Sequence, residues 1–338
     1  MSRALCYVAP QQCALRPVDP EAAFAALQKE ERPALVRTLW SAISRGTERL
    51  VFEGRVPASE HDRMRAPLQD GAFPFPVIYG YAAVGVVERG PAELVGRTVF
   101  ALAPHQERFA APASLLVPVP DGAPARRATL GANLETALNG VWDGGAGPGD
   151  RIAIVGGGVL GALLAALLGP TPGAEVTLVD PAPERAAVAD ALGVGYAAPE
   201  EAEAVAGGSD LVFHTSATEA GLATALALAG AEAAVVELSW YGDQAPRAPL
   251  GEAFHSKRLR LISSQVGQVA TPRRARWSHG RRMAKALSIL RDPRFDAIIS
   301  EEIGFDDLPE AMPRVLGRGT GGAGLATVVR YPDVKATD

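Results

Sequence analysis

Three glycines at positions 156, 158 and 161, with an aspartate at 180, are the residues in this chain whose spacing says most about chemistry. They sit in the stretch RIAIVGGGVLGALLAALLGPTPGAEVTLVD, residues 151–180. Glycines spaced as G-x-G-x-x-G suit a turn that brings backbone close to a pyrophosphate, when a strand precedes it and a helix follows. Gly156 permits the tight turn, Gly158 the close approach, and Gly161 the packing of helix on strand. Val159 and Leu160 open the helix, where unpaired N–H groups and a partial positive charge favour a phosphate. Asp180 is placed to accept hydrogen bonds from an adenosine ribose and to repel a 2′-phosphate. The expected cofactor is therefore NAD(H), with NADP(H) less favoured; Arg185 softens that preference if it turns toward the ribose.

The local elements fit this reading. RIAIV has the length and composition of a buried strand, VLGALLAALLG is built of good helix formers closed by glycine and proline, and EVTLVD is a second strand. Ile152 to Ala174 carries no charged side chain and is long enough to span a bilayer. A spanning helix is an unbroken run of about 20 apolar residues, however, and this stretch is interrupted by Gly156, Gly157, Gly158, Pro170 and Pro172. Downstream, PERAAVADALGV and TEAGLATALALAG read as helices, and DLVFHTSA, AAVVELSW and LRLISSQ as strands. Strands alternating with helices imply a parallel, doubly wound sheet, whose ligand lies beyond the carboxyl ends of its strands. Ser216, Trp240 and Gln265 fall at or just past those ends and are candidates to line the groove.

Residues 1–120 differ in texture. Short β-type runs (ALCYVAP, ALVRTLWSAIS, FPVIYGYAAVGVVERG, GRTVFALAP, SLLVPVPDG) are cut by proline and glycine, as in a small, mostly β domain. ARRATLGANLETALNGVWDG has helical character. Toward the far end RRMAKALSILRD reads as a helix, followed by strand, helix and strand in FDAIISEEIGF, DDLPEAMPRVLGRG and LATVVRYP. Among 338 residues, 48% are hydrophobic and 21% charged, as expected of a globular chain of about two domains. A net charge of −5 argues against a general nucleic-acid binder. Two cysteines, Cys6 and Cys13, supply neither a disulfide framework nor a four-thiolate metal site, and the opening residues lack the apolar run of a secretory signal. A cytoplasmic protein without a membrane anchor is expected.

The order of a β-rich first part, a bridging helix, GPGDRIAIVGGGVLG, a doubly wound part and an αβαβ return resembles the medium-chain dehydrogenase/reductases. The resemblance covers nearly the whole chain. It implies an α/β protein with a GroES-like catalytic domain from residues 1–121 and 290–338 and a Rossmann domain from residues 122–289. It also implies a homodimer acting on a small-molecule substrate. ISRGTERLVFEGRVP, YGYAAVG and GRTVF look most like the bacteriochlorophyllide dehydrogenase branch and its relatives. Zinc-dependent members carry cysteine, Gly-His-Glu and a second cysteine as ligand-bearing sites. At the matching places this chain has AISRGTE, Gly80-Tyr81-Ala82 and LGANLETAL, and it has no loop of four cysteines. Zinc takes thiolate, imidazole or carboxylate ligands, so no zinc is expected.

Without a metal, charge that develops on a substrate oxygen needs a hydrogen-bond donor. Tyr81 is the first candidate. Thr47 is placed to hydrogen-bond the substrate oxygen, Glu48 to orient Tyr81 or Thr47, and His105, in ALAPHQERF, to exchange protons near neutral pH. Asn133 and Glu135 are weaker candidates for contact with nicotinamide or substrate. Arg273, Arg274, Arg276, Arg281, Arg282 and Lys285 form a basic stretch, read as a solvated face or subunit contact in preference to an attractor of acidic substrates. The expected reaction interconverts a secondary alcohol and its ketone. The rivals are reduction of a conjugated C=C, as in quinone and enone reductases, and a dinucleotide-binding sensor or scaffold without turnover.

Overall fold

The structure is a computed structural model that describes residues 2–27, 32–317 and 324–332. In chain order its strands are β1 (Ser2–Ala9), β2 (Gln12–Val18), β3 (Pro33–Ile43), β4 (Asp70–Gly71), β5 (Val77–Ile78), β6 (Ala83–Arg89), β7 (Thr98–Ala101), β8 (Arg108–Pro112) and β9 (Val117–Pro118). They continue as β10 (Arg151–Val155), β11 (Glu175–Val179), β12 (Gly195–Ala197), β13 (Ser209–His214), β14 (Ala229–Glu237), β15 (Arg260–Ser263), β16 (Ile299–Gly304) and β17 (Ala326–Arg330). The chain divides into two compact units, Met1–Ala132 with Met283–Pro293 and Ile299–Asp338, and Asn133–Arg282 with Arg294–Ile298.

The second unit is built on a six-stranded sheet in the order β12-β11-β10-β13-β14-β15, every pair parallel. The order reverses between β10 and β13, which makes the carboxyl end of β10 the switch point of the sheet. Parallel strands covered on both faces must be apolar throughout, and Ile152, Ala153, Ile154 and Val155 are all buried. Helices Val159–Leu168 and Glu219–Leu228, which follow β10 and β13 in the chain, both pack against β10. Val155, Val179, Val212, Leu222 and Leu226 share one core cluster.

In the first unit, β3 is the organising strand. It pairs antiparallel with β6, β8 and β17, inside a sheet ordered β16-β17-β3-β6-β7-β9. A smaller sheet, β2-β1-β5-β4, belongs to the same unit. Cys6 is buried and Cys13 partly so; burial pushes the Cys13 thiol up to about 11, as befits an unreactive side chain.

Several elements differ from expectation. β2 and the helix Pro20–Leu27 were not anticipated, because their apolar residues follow no clear period. SLLVPVPDG forms a single 3-10 turn, Ala113–Leu115, and the two-residue β9, since prolines remove ladder donors. FDAIISEEIGF begins as a 3-10 turn, Pro293–Ile298, and only Ile299–Gly304 is strand. The helix expected over 306–319 runs Leu308–Leu316, and its last two residues, like the tail DVKATD, lie outside the described residues. Among the described residues no helix is long and apolar enough to cross a membrane.

Candidate coenzyme groove and catalytic residues

The glycine turn follows β10 directly. Gly156 has φ of +110°, and a Cβ there would lie 2.7 Å from the backbone nitrogen of Ser216. A side chain is thus excluded by both conformation and space. A Cβ on Gly161 would come within 1.9 Å of the Gly156 carbonyl oxygen, so helix Val159–Leu168 packs against the turn itself. Gly158 is the contrast. It is the N-cap of that helix, its backbone is extended (φ −71°, ψ −172°), and nothing lies within 4 Å of a Cβ built there. Open space thus faces the first amides of the helix, those of Val159 and Leu160, where an anion is favoured.

Asp180 follows β11 and reaches back to this turn. Its Oδ2 accepts a hydrogen bond from the Gly157 amide at 2.6 Å, and Oδ1 accepts from the Ala182 amide at 2.9 Å. Each carboxylate oxygen keeps a further lone pair for a ribose hydroxyl. Arg185 starts the next helix and is buried; a Cβ on Gly157 would meet its Cγ at 3.1 Å, beside Asp180. The Arg185 side-chain stem therefore stands next to the Asp180 carboxylate.

The three candidates at strand ends separate. Ser216 lies two residues past β13 inside a hydrogen-bond network. Trp240 is half-buried in the loop after β14. Gln265 folds onto its own turn, its Oε1 accepting from the Gly267 amide at 2.6 Å. Two groups missed from the sequence complete this end of the sheet. Thr215 donates through Oγ1 to the Gly156 carbonyl at 2.8 Å, tying the turn to β13. His214 and Glu237, the last residues of β13 and β14, are hydrogen-bonded at 2.7 Å. The signal was available: both apolar runs end in a charged or titratable residue followed closely by serine.

In the first unit the catalytic candidates are gathered by the β3–β6 pairing. Ser41 lies opposite Ala83, and continuing the two antiparallel strands past this pair brings Ser44 toward Tyr81. The Tyr81 hydroxyl donates to Ser44 Oγ. Burial pushes the Tyr81 phenol up to about 12, against the opposing effect of hydrogen bonds with Ser44 and Thr47. It is therefore a neutral donor at physiological pH.

Glu48 lies in helix Arg45–Phe52 and is wholly buried. Its hydrogen bonds correct the expected role. Oε1 accepts from the Ser44 amide at 2.7 Å, while Oε2 accepts from the Tyr7 hydroxyl at 2.8 Å and contacts His105 Nε2 at 3.0 Å. Glu48 thus fixes the backbone of Ser44 and hydrogen-bonds neither Tyr81 nor Thr47. His105 is 0% exposed, with Nδ1 held by Ser41 Oγ at 2.8 Å, and Ser41 in turn contacts the Tyr331 hydroxyl at 3.2 Å. A histidine with both nitrogens engaged and no exposed surface supports Glu48 and does not meet solvent. Gly80, at φ +132°, lets the backbone lie against its ring: a Cβ there would fall 3.0 Å from His105 Cδ2.

Glu135 is also claimed by structure. It is buried and bonded to the equally buried Arg282, Nε to Oε1 2.9 Å. Arg282 also donates to Asn139 Oδ1 and to the carbonyls of Val266 and Gln268. The rest of the basic stretch behaves differently: Arg273 lies over the Trp142 ring and Arg281 over Trp277, while Arg274, Arg276 and Lys285 are exposed. Among the described residues no three of His, Cys, Asp and Glu are grouped as a metal site.

A GroES-like unit and a Rossmann unit in one chain define the medium-chain dehydrogenase/reductase fold. The chain matches L-idonate 5-dehydrogenase from Escherichia coli K-12 with a TM-score of 0.76 at 17% identity, over 98% of each chain. It matches a zinc-binding-dehydrogenase-like protein from Sinorhizobium meliloti 1021, bound to NADP, at 0.75 and 19%, over 98% of this chain and 99% of that one. An alcohol dehydrogenase from Escherichia coli CFT073, in complex with NADH, follows at 0.74 and 14%, with the same coverage. At these identities the likeness establishes the fold. No family model matches the sequence.

Proposed function

We propose that this protein is a nicotinamide-dinucleotide-dependent oxidoreductase that interconverts a secondary alcohol and its ketone, prefers NAD(H) and works without zinc. The observation that carries the reading is the open face above Gly158, at a helix start and beside the Asp180 carboxylate. Two structural neighbours with bound NADP or NADH, and the dehydrogenase activities named for the neighbours, support it. The amides of Val159 and Leu160 hold the pyrophosphate, and Asp180 takes the ribose hydroxyls. The nicotinamide, when bound, supplies or accepts the hydride.

The chain's own contribution is to stabilise charge on the substrate oxygen and to move a proton. Tyr81 donates to that oxygen as a neutral phenol. Ser44, whose hydroxyl now accepts from Tyr81, turns to donate to the phenol oxygen and so releases the phenolic proton. Glu48 holds the Ser44 backbone in place, and His105 and Tyr7 hold Glu48. Thr47 also hydrogen-bonds the phenol. The zinc-free reading follows from the donor set: Ser44, Gly80, Tyr81 and Ala82 offer hydroxyls and a methyl where zinc needs thiolate, imidazole or carboxylate. The protein acts in the cytoplasm as a homodimer.

Titration of the pure protein with NADH and NADPH, followed by fluorescence, tests the cofactor, and metal analysis of the same sample tests the zinc-free reading. NADH should bind more tightly; stoichiometric zinc would overturn the second half. Asp180→Ala should narrow the gap between the two coenzymes by about tenfold, the effect of one hydrogen-bonded charge. In ketone reduction, Tyr81→Phe should lower kcat about a hundredfold, as loss of a donor to a developing oxyanion does, with little change in KM. An unchanged kcat would remove Tyr81 from the mechanism.

A further inference from the structure

We propose that His214 and Glu237 form a protonation-dependent positioning pair for the bound dinucleotide, acting through the hydroxyls of Ser216 and Thr218. This rests on the dinucleotide reading above and extends it to His214 and Glu237, which that reading leaves without a role.

The parallel register of β13 and β14 makes the two residues neighbours at the carboxyl end of the sheet. His214 is completely buried. Its Nδ1 lies 2.7 Å from Glu237 Oε2 and its Nε2 2.6 Å from Ser216 Oγ. Glu237 also accepts from the Ser239 amide at 2.7 Å and from the Tyr241 hydroxyl at 3.2 Å. Burial raises the Glu237 carboxyl, but hydrogen bonds from His214 and Ser239 outweigh it and hold the group below its ordinary range. A carboxylate surrounded by donors keeps a proton on Nδ1 in either charge state of the ring.

The far nitrogen then sets the direction of a hydroxyl. With the ring neutral, Nε2 is an acceptor and the Ser216 hydroxyl donates to it. Ser216 Oγ also lies 2.9 Å from Thr218 Oγ1 and accepts from the Thr218 amide at 3.3 Å. When the ring takes a second proton, Nε2 donates and the Ser216 proton is displaced. It turns outward, or passes its hydrogen bond to Thr218, whose own hydroxyl proton turns outward instead. In both cases the network gains one outward O–H donor.

The gain occurs beside the phosphate turn. The Ser216 nitrogen is the atom a Cβ on Gly156 would strike, at 2.7 Å. Thr218 caps helix Glu219–Leu228 and is exposed. An anionic dinucleotide therefore binds more tightly to the protonated network. Few other groups face the ring. β10 presents Val155 by register, and helix Glu219–Leu228 presents Gly221, where a Cβ would meet Nε2 at 2.8 Å. β14 and its loop present Glu237, Ser239 and Tyr241. Of these only Glu237 and Tyr241 titrate, and burial, with the Glu237 charge, drives the Tyr241 phenol far above its usual value.

The experiment measures NADH affinity by fluorescence at a series of pH values from about 5.5 to 8.5. Calorimetry in two buffers of different ionisation heat reads the linked proton uptake. For the parent protein, affinity should fall about fivefold as pH rises, the effect of losing one hydrogen bond, with net proton uptake on binding at mid-range. Ser216→Ala and His214→Gln should both bind NADH with a flat pH profile. Should His214→Gln fail to fold, Ser216→Ala decides alone. A flat parent profile, or a step that persists in Ser216→Ala, overturns the pair's role and leaves the dinucleotide reading standing. Absence of NADH binding at every pH overturns that reading itself.

Discussion

Gly158→Ser is expected to fold as well as the parent protein and to bind NADH about 10- to 100-fold more weakly, as loss of a charge-assisted hydrogen bond costs about 1.5–3 kcal/mol. The position tolerates a side chain, since its backbone is extended and the space above it is open. Serine is a strong N-cap, and its hydroxyl accepts from the amides two or three residues into the helix. Those are donors a pyrophosphate needs, so the substitution satisfies the helix and starves the ligand. Gly161→Ala should fail differently. Its Cβ would fall 1.9 Å from a carbonyl oxygen, so helix and turn must separate, losing stability by about 1–3 kcal/mol together with NADH binding. Thermal unfolding and NADH titration of both variants separate the two effects. Parent-like affinity in Gly158→Ser would mean that no phosphate lies at this helix start.

Arg282→Met should lower stability by about 3–5 kcal/mol, the usual penalty for stranding one partner of a buried ion pair. Glu135 would be left buried without its cation. Burial already pushes the Glu135 carboxyl up even with Arg282 beside it, so the remaining acid has little reason to stay ionised. Asn139, Val266 and Gln268 would also lose a donor. A fall in Tm of roughly 10 °C follows for a unit of this size. Adding Glu135→Leu to Arg282→Met should recover part of the loss, because two apolar side chains replace an ion pair at small cost. The urea midpoints of parent, single and double variants measure this directly. A double variant no better than the single would place the cost in the carbonyl contacts alone.

The glycine turn and the elements around it were legible because their determinants are local. Strand, turn, helix and strand follow one another without a break, and Asp180 closes the motif within a short span of chain. The likeness to a known dehydrogenase fold was legible for the same reason, since the order of elements survives where sequence identity does not. What escaped were contacts made by register. His214 and Glu237 become partners only when β13 and β14 pair in parallel. Glu48 was placed beside Tyr81 from its neighbours in sequence, but its acceptors are satisfied by Tyr7 and His105, which come from distant segments. His105, expected to exchange protons near neutral pH, is drawn inside by the pairing of its backbone with Leu5 and Tyr79, which the sequence does not show. The Glu135–Arg282 bond escaped for the same reason, Arg282 having been read with the rest of the basic stretch as a solvated face or subunit contact.

β17 has a consequence for how the molecule is made. It pairs with β3 through Thr327 and Ile43 while lying beside β16, so an early and a late portion of the polypeptide share one sheet. All strands of the six-stranded sheet have been synthesised once Ser263 is made. The other unit must wait for Arg330, leaving the Trp40–Ile43 part of one β3 edge, beyond its pairing with β8, unpaired until then. During synthesis that edge is an invitation to foreign strands, and chains released short of β17 should precipitate even though the strands of the six-stranded sheet are all present.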